Sequence, residues 1–197
     1  WNDACVDHGC SEGTFAEIFT ATLESAAFLE SDRDKLIQFA LTMIPADSRV
    51  TAAVKTAVEA RKSGMTWQQA RESVVTATED LGWFQARNVA FTMIGWLYGD
   101  GDFGKSICIA INCGDDTDCT GATLGSIFGI IYGTTIIPEK WRAPIGDGIK
   151  TVAVSGFEVP APLKVLTDQT VASQKKVSEL YQPPFLVTAG ETNVSKK

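Results

Sequence analysis

The chain holds a single histidine, His8, among its 197 residues. Zinc sites built on several imidazoles are thereby excluded, as is any catalytic scheme that needs two histidines. Positive charge is scarce too: 17 Lys and Arg stand against 24 Asp and Glu, for a net charge of −7. That balance argues against a direct nucleic-acid surface or an anionic-membrane surface, both of which need basic side chains for phosphate contacts. The chain opens on Trp1 rather than Met, with no charged stretch leading into an apolar core. It therefore reads as a processed product or a piece of something longer. Cysteines are few and odd in number. Cys5, Cys10, Cys108, Cys113 and Cys119 sit at no familiar zinc or disulfide spacing. They read as reduced and mostly buried, which makes the cytoplasm the default compartment. Apolar residues, by contrast, make up 45%, enough for a globular core. The length suits one ordinary domain. Carboxylates are plentiful, so metal chemistry is expected to use oxygen ligands and a hard cation such as Mg²⁺, Mn²⁺ or Ca²⁺.

Helix signals dominate the pattern. Thr14 with Glu17 forms a capping-box pattern ahead of an apolar face of Phe15, Ile18, Phe19, Leu23, Ala26 and Ala27. Ser31 with Asp34 repeats the device, and that helix stops before Pro45. Asp47 is placed to cap a third helix ending near Gly64, and Thr66 with Gln69 a fourth. Further helices are expected from about Asn88 to Tyr98, from Asp102 towards Gly114, from Cys119 to Gly133, and from Leu163 to Tyr181. A short strand is possible over 149–154. The expected architecture is an all-α compact bundle over 1–181, with 182–197 as a tail or linker.

The most informative segment is Asn112-Cys-Gly-Asp-Asp-Thr-Asp-Cys-Thr-Gly121. Asp115, Asp116 and Asp118 repel one another, since two unit charges about 4 Å apart cost roughly 4 kcal/mol at an effective dielectric of about 20. A helix N-terminus relieves part of that, and a bound cation relieves more. The plain alternative is an Asp-capped helix with a solvated loop. An EF-hand fails, because Ile127 or Ser126 falls where the twelfth-position Glu belongs. A haloacid-dehalogenase-like phosphatase would place a nucleophilic aspartate directly after a buried strand. Here Asn112, Cys113 and Gly114 intervene after a segment with a good helix start. Downstream, Gly121, Gly125, Gly129 and Gly133 recur every fourth residue. Each interior glycine costs about 1 kcal/mol relative to alanine, so the stripe calls for a close neighbouring helix. Cys119 to Ile137 carries no charge, which raises a membrane span as a competing reading. Its Gly and Thr content and the absence of a second span favour a buried central helix.

An acidic loop opening a glycine-striped helix, followed by Tyr132-Gly133 and by Ile136-Ile-Pro-Glu-Lys-Trp141, resembles the ADP-ribosylglycohydrolase family. The opening Ala4-Cys-Val-Asp-His-Gly9 and the later Pro162-Leu-Lys-Val-Leu-Thr-Asp168 are similar to further segments of it. The resemblance spans about Trp1 to Val171. It implies an orthogonal helical bundle with a two-metal centre, usually Mg²⁺, and hydrolysis of the bond between ADP-ribose and an acceptor. By resemblance, Asp116 and Asp118 are metal ligands. Cys119 stands where the family often has a metal-binding Thr, so Thr120 is the alternative donor at that point. His8, Gly114 and Asp115 are implied on the ligand side. The implied partner is an ADP-ribosylated protein or a small ADP-ribose conjugate. The family's Thr-Asp-Asp segment, with its other metal ligands and its acid or base, finds no match here. The chain therefore reads as the C-terminal part of a catalytic domain, with the remainder of a parent chain as its partner. A non-catalytic ADP-ribose-binding module is the alternative.

Overall fold

The computed structural model describes residues 1–9, 11–79, 85–151, 155–156, 158–160 and 162–181. The described residues form ten α-helices and no strand. The chain divides into two compact units, Trp1–Pro138 and a second beginning at Glu139.

The first unit comprises α1 (Asn2–His8), α2 (Glu12–Ala27), α3 (Arg33–Leu41), α4 (Arg49–Lys62), α5 (Trp67–Ala77), α6 (Gln85–Tyr98), α7 (Phe103–Asn112) and α8 (Thr117–Tyr132), closed by a 3₁₀ turn, Thr134–Ile136. Side-chain caps set half of the starts, those of α3, α4, α5 and α7. Thr66 and Gln69 make the expected capping box at α5. Asp102 accepts the Lys105 amide at 2.6 Å and starts α7. At two helices the cap lies one residue later than the pattern suggests. Asp32 rather than Ser31 accepts the Asp34 and Lys35 amides at α3, and Ser48 rather than Asp47 accepts the Thr51 amide at α4.

The Thr14–Glu17 expectation is wrong for a tertiary reason. Helix α2 begins at Glu12, and Thr14 is buried inside it, donating its hydroxyl to the Ala4 carbonyl at 3.3 Å. That bond ties α2 to α1. Glu12 reaches across instead: its carboxylate accepts the Arg49 and Val50 amides, at 3.0 and 3.1 Å, and so caps α4.

The central helix is α6, not α8. Every residue from Ala90 to Tyr98 is buried, and α6 packs against α2, α4, α5, α7 and α8. A helix that is apolar all round belongs inside. Helix α8 buries only the side carrying Thr120, Leu124, Ile127 and Phe128. The glycine stripe is therefore not the seam of closest approach. A Cβ on Gly125 or Gly129 would meet nothing within 4 Å, and one on Gly121 would meet only the Ile111 side chain at 3.3 Å. The tight seam runs between α6 and α7. A Cβ on Gly95 would lie 2.6 Å from the Ala110 Cβ and 2.7 Å from the Ser106 carbonyl, and one on Gly99 would lie 2.7 Å from the Ser106 Cα.

The second unit holds α9 (Glu139–Ile145) and α10 (Leu163–Tyr181) among its described residues. Helix α10 has the expected bounds. The possible strand over 149–154 does not form over 149–151, and 152–154 lie outside the described residues, as does the expected tail, 182–197. Gly148 instead makes a single antiparallel bridge to Pro162. No described helix is long and apolar enough to cross a membrane. The cysteine reading also needs correction. Cys5 is disulfide-bonded, and of the free thiols Cys108 and Cys119 are exposed while Cys113 is buried. The compartment inferred from reduced, buried cysteines thus loses its premise.

Candidate functional site

The loop from α7 to α8 turns on two residues in left-handed conformation, Gly114 at φ +92° and Asp115 at φ +56°. Glycine adopts this freely, and aspartate is among the side chains that tolerate it. Three residues from other helices hold the loop. Arg71 on α5 donates Nε to the Cys113 carbonyl at 2.8 Å. Arg87 on α6 places Nη1 3.3 Å from Asp115 Oδ2, while its other nitrogens donate to the Thr78 hydroxyl at 3.0 Å and carbonyl at 3.2 Å. Asn88 accepts the Asp116 amide on Oδ1 at 3.2 Å. The Arg87 and Asp115 side chains are only 14% and 18% exposed, so this pair is poorly screened by water.

Asp116 occupies the N-cap position of α8, yet its side chain makes no capping hydrogen bond. The plain reading of the loop, an aspartate spent on capping its own helix, therefore does not hold. Asp116, Asp118 and Cys119 bring one ligand atom each to within 4.8 Å of one another, and all three are exposed. The Cys119 thiol is held protonated. Its hydrogen bond to the Asp116 carboxylate raises it first, then desolvation, then the charges of Asp116 and Asp118. Cys113, at the end of α7, is pushed up to about 12 by burial. Thr120 is buried, and its hydroxyl donates into its own helix, to the Asp116 carbonyl at 2.7 Å and the Thr117 carbonyl at 3.1 Å.

Beside this cluster lies a cleft of ≈ 270 Å³. Helix α1 contributes His8, α2 contributes Phe19, Thr20 and Leu23, α6 contributes Gln85, Asn88, Val89, Thr92 and Met93, and α8 contributes Asp116, Cys119, Thr120, Thr123 and Ile127. An apolar floor with a few converging polar groups is the usual make-up of a small-molecule site. His8 arrives there because Gly13 leaves room for it: a Cβ on Gly13 would lie 2.8 Å from the His8 ring. Its Nε2 sits 3.3 Å from Glu17 Oε2. Of the residues singled out from sequence, the fold thus brings His8, Asp116, Cys119 and Thr120 to one cleft, with Asp118 beside them. Gly114 and Asp115 are not among the lining residues, and Asp115 turns its carboxylate to Arg87.

A model of the family described as ADP-ribosylglycohydrolase matches residues 1–174. The chain belongs to the ADP-ribosylglycohydrolase family. Comparison with curated proteins and with solved structures finds no match. ADP-ribosylglycohydrolases are hydrolases of ADP-ribose linkages, so the phosphatase reading falls away. The fold removes it independently, since Asp116 follows α7 rather than a buried strand. For an ADP-ribosylglycohydrolase, the polar lining from α6 is what the sequence pattern passed over. Gln85, Asn88 and Thr92 fall at positions i, i+3 and i+7, one face of a helix that is otherwise apolar apart from Arg87. That spacing is the signal that would have found them.

Proposed function

We propose that this ADP-ribosylglycohydrolase cleaves the glycosidic bond between ADP-ribose and an acceptor, either an ADP-ribosylated protein or a small ADP-ribose conjugate. In this reading Asp116 and Asp118 hold a divalent cation, Mg²⁺ or Mn²⁺. The observation that supports it is the convergence of His8, from the first helix, with the uncapped Asp116 of the eighth on a single cleft. Two carboxylates free of capping duty fit a hard cation. The protonated thiol beside them does not fit such an ion.

A cation bound there would orient ribose hydroxyls and activate a water. The chain's own side chains do the rest of the work. Asn88 fixes the Asp116 backbone and so the direction from which that carboxylate enters the cleft. Arg87 and Arg71 tie the loop to α6 and α5. Glu17 steadies the His8 imidazole at the cleft wall, where it can hold part of an ADP-ribose ligand. Phe19, Leu23 and Ile127 form a dry floor.

The test is divalent-cation binding by calorimetry, together with release of ADP-ribose from an ADP-ribosylated substrate, in the intact protein and in Asp116→Asn and Asp118→Asn. Both variants are expected to lose cation affinity by about tenfold or more and to lose hydrolysis with it. Unchanged affinity in both would sink the ligand assignment. ADP-ribose binding without any hydrolysis by the intact protein would favour a binding module instead.

A further inference from the structure

We propose that the first unit carries a second small-molecule site, built by α3, α4 and α6, for an organic phosphate: an apolar or aromatic body bearing one phosphate group. The site is a cavity of ≈ 350 Å³, within the range of roughly 300–1,000 Å³ usual for ligand pockets. It stands apart from the cleft at Asp116. On α6, Leu97 in its wall lies nine residues beyond Asn88, about 13 Å along the helix axis. The two cavities share no described lining residue. Ile37, Val58 and Leu97 make the apolar wall, and Ile37 and Leu97 are 1% and 2% exposed.

Arg33, Arg61 and Lys62 line this cavity against a single carboxylate, Asp34. That local excess of positive charge runs against the chain's net −7, so an anion repelled by most of the surface is drawn here. Asp34 is spent on Arg33, whose Nε donates to it at 2.9 Å. Arg61 is set in place twice. Its Nη2 donates to Asp100 at 3.0 Å, and its guanidinium lies 5.0 Å from the centre of the Tyr98 ring. A cation ordered in advance loses little freedom when a ligand arrives. Each guanidinium carries five donors. Among the described residues those two bonds are the only ones that either arginine donates, and Lys62 has no partner. An anion is already stabilised at the edge of the cluster. The Asp100 carboxyl is held below its ordinary value by its hydrogen bond to Lys105 and the charge of that residue, then by the charges of Arg61 and Arg33. A phosphate monoester carries about −1.5 to −2 charge at neutral pH and three acceptor oxygens, which suits several cations better than one carboxylate does. The arginine forks match it bidentately. Gln38 in the lining offers both a donor and an acceptor to the rest of the ligand.

The probe is phenyl phosphate, which has the ring and the phosphate but no ribose for the first cleft to recognise. Titration calorimetry measures its binding to the intact protein and to Arg33→Gln, Lys62→Gln, Val58→Phe and His8→Ala, with phenol and inorganic phosphate as partial ligands. Neither Arg33 nor Lys62 is buried, so both glutamine variants are expected to fold, and circular dichroism checks that they do. The intact protein is expected to bind phenyl phosphate more tightly than either partial ligand, and more weakly as salt rises. Arg33→Gln and Lys62→Gln should each weaken binding by about tenfold or more. Val58→Phe fills the cavity without touching a charge and should weaken it as well, while His8→Ala, in the other cleft, should leave it unmoved. No binding by the intact protein, or binding unmoved in both Arg33→Gln and Lys62→Gln, would overturn the proposal. So would loss of binding in His8→Ala, which would assign the probe to the first cleft. Inorganic phosphate bound as tightly as phenyl phosphate would overturn the apolar body of the ligand. None of these outcomes touches the reading of Asp116 and Asp118.

Discussion

Asp115 keeps a backbone conformation that most side chains avoid, at φ +56°, and its partner lies 28 residues away on another helix. Sequence reading picks out Asp115 as one of three crowded acids and places it on the ligand side. Nothing local reveals that Arg87 takes its charge. Removing the guanidinium leaves a mostly buried carboxylate, the Thr78 hydroxyl and the Thr78 carbonyl without that donor. Arg87→Ala is therefore expected to cost about 1–3 kcal/mol, read from the urea midpoint. Because the same change frees the loop that presents Asp116, the proposed cation binding should weaken with it, as titration calorimetry of Arg87→Ala would read. Asp116 and Asp118 stand out in the sequence by their spacing and by resemblance to a family. That the Asp116 carboxylate caps no backbone amide of its own helix is a matter of geometry.

At the scale of helices, glycine spacing misleads and glycine contact decides. The four-residue repeat on α8 suggests a packed seam, yet its middle positions face open space, while Gly95 on α6 and Gly99 just past its end press against α7. A methyl group at Gly95 would overlap a side chain and a backbone carbonyl. Gly95→Ala is expected to destabilise by about 1–3 kcal/mol. At Gly125 and Gly129 the same change meets nothing and removes a helix penalty, so each should stabilise by about 1 kcal/mol. Thermal or urea unfolding of the three single variants checks this, and equal effects at Gly95 and Gly125 would refute it. Caps formed within one turn, such as Thr66 with Gln69, were readable to the residue. The Glu12 cap on α4 was not, because its acceptor and donors are 37 residues apart.

For the whole molecule, the buried thiol of Cys113 links stability to pH. Its folded value of about 12 stands above the ordinary 9.0 because burial disfavours the thiolate. The unfolded chain releases this proton first as pH rises. The contribution is thus fully present below about pH 9 and is lost towards about pH 12. Urea midpoints across that alkaline range should fall more steeply in the unaltered protein than in Cys113→Ala. Thiol labelling of the folded protein should likewise mark Cys108 and Cys119, which are exposed, and spare Cys113.

The helical class, most helix spans, the acidic loop and the family followed from the sequence alone, because each rests on bonds or periodicities within a few residues of chain. Tertiary structure decided which helix is central, which carboxylate pairs with Arg87, and that His8 shares a cleft with Asp116. Those outcomes depend on which apolar faces meet. A side chain's neighbours across a helix bundle are set by packing, and packing has no period along the chain.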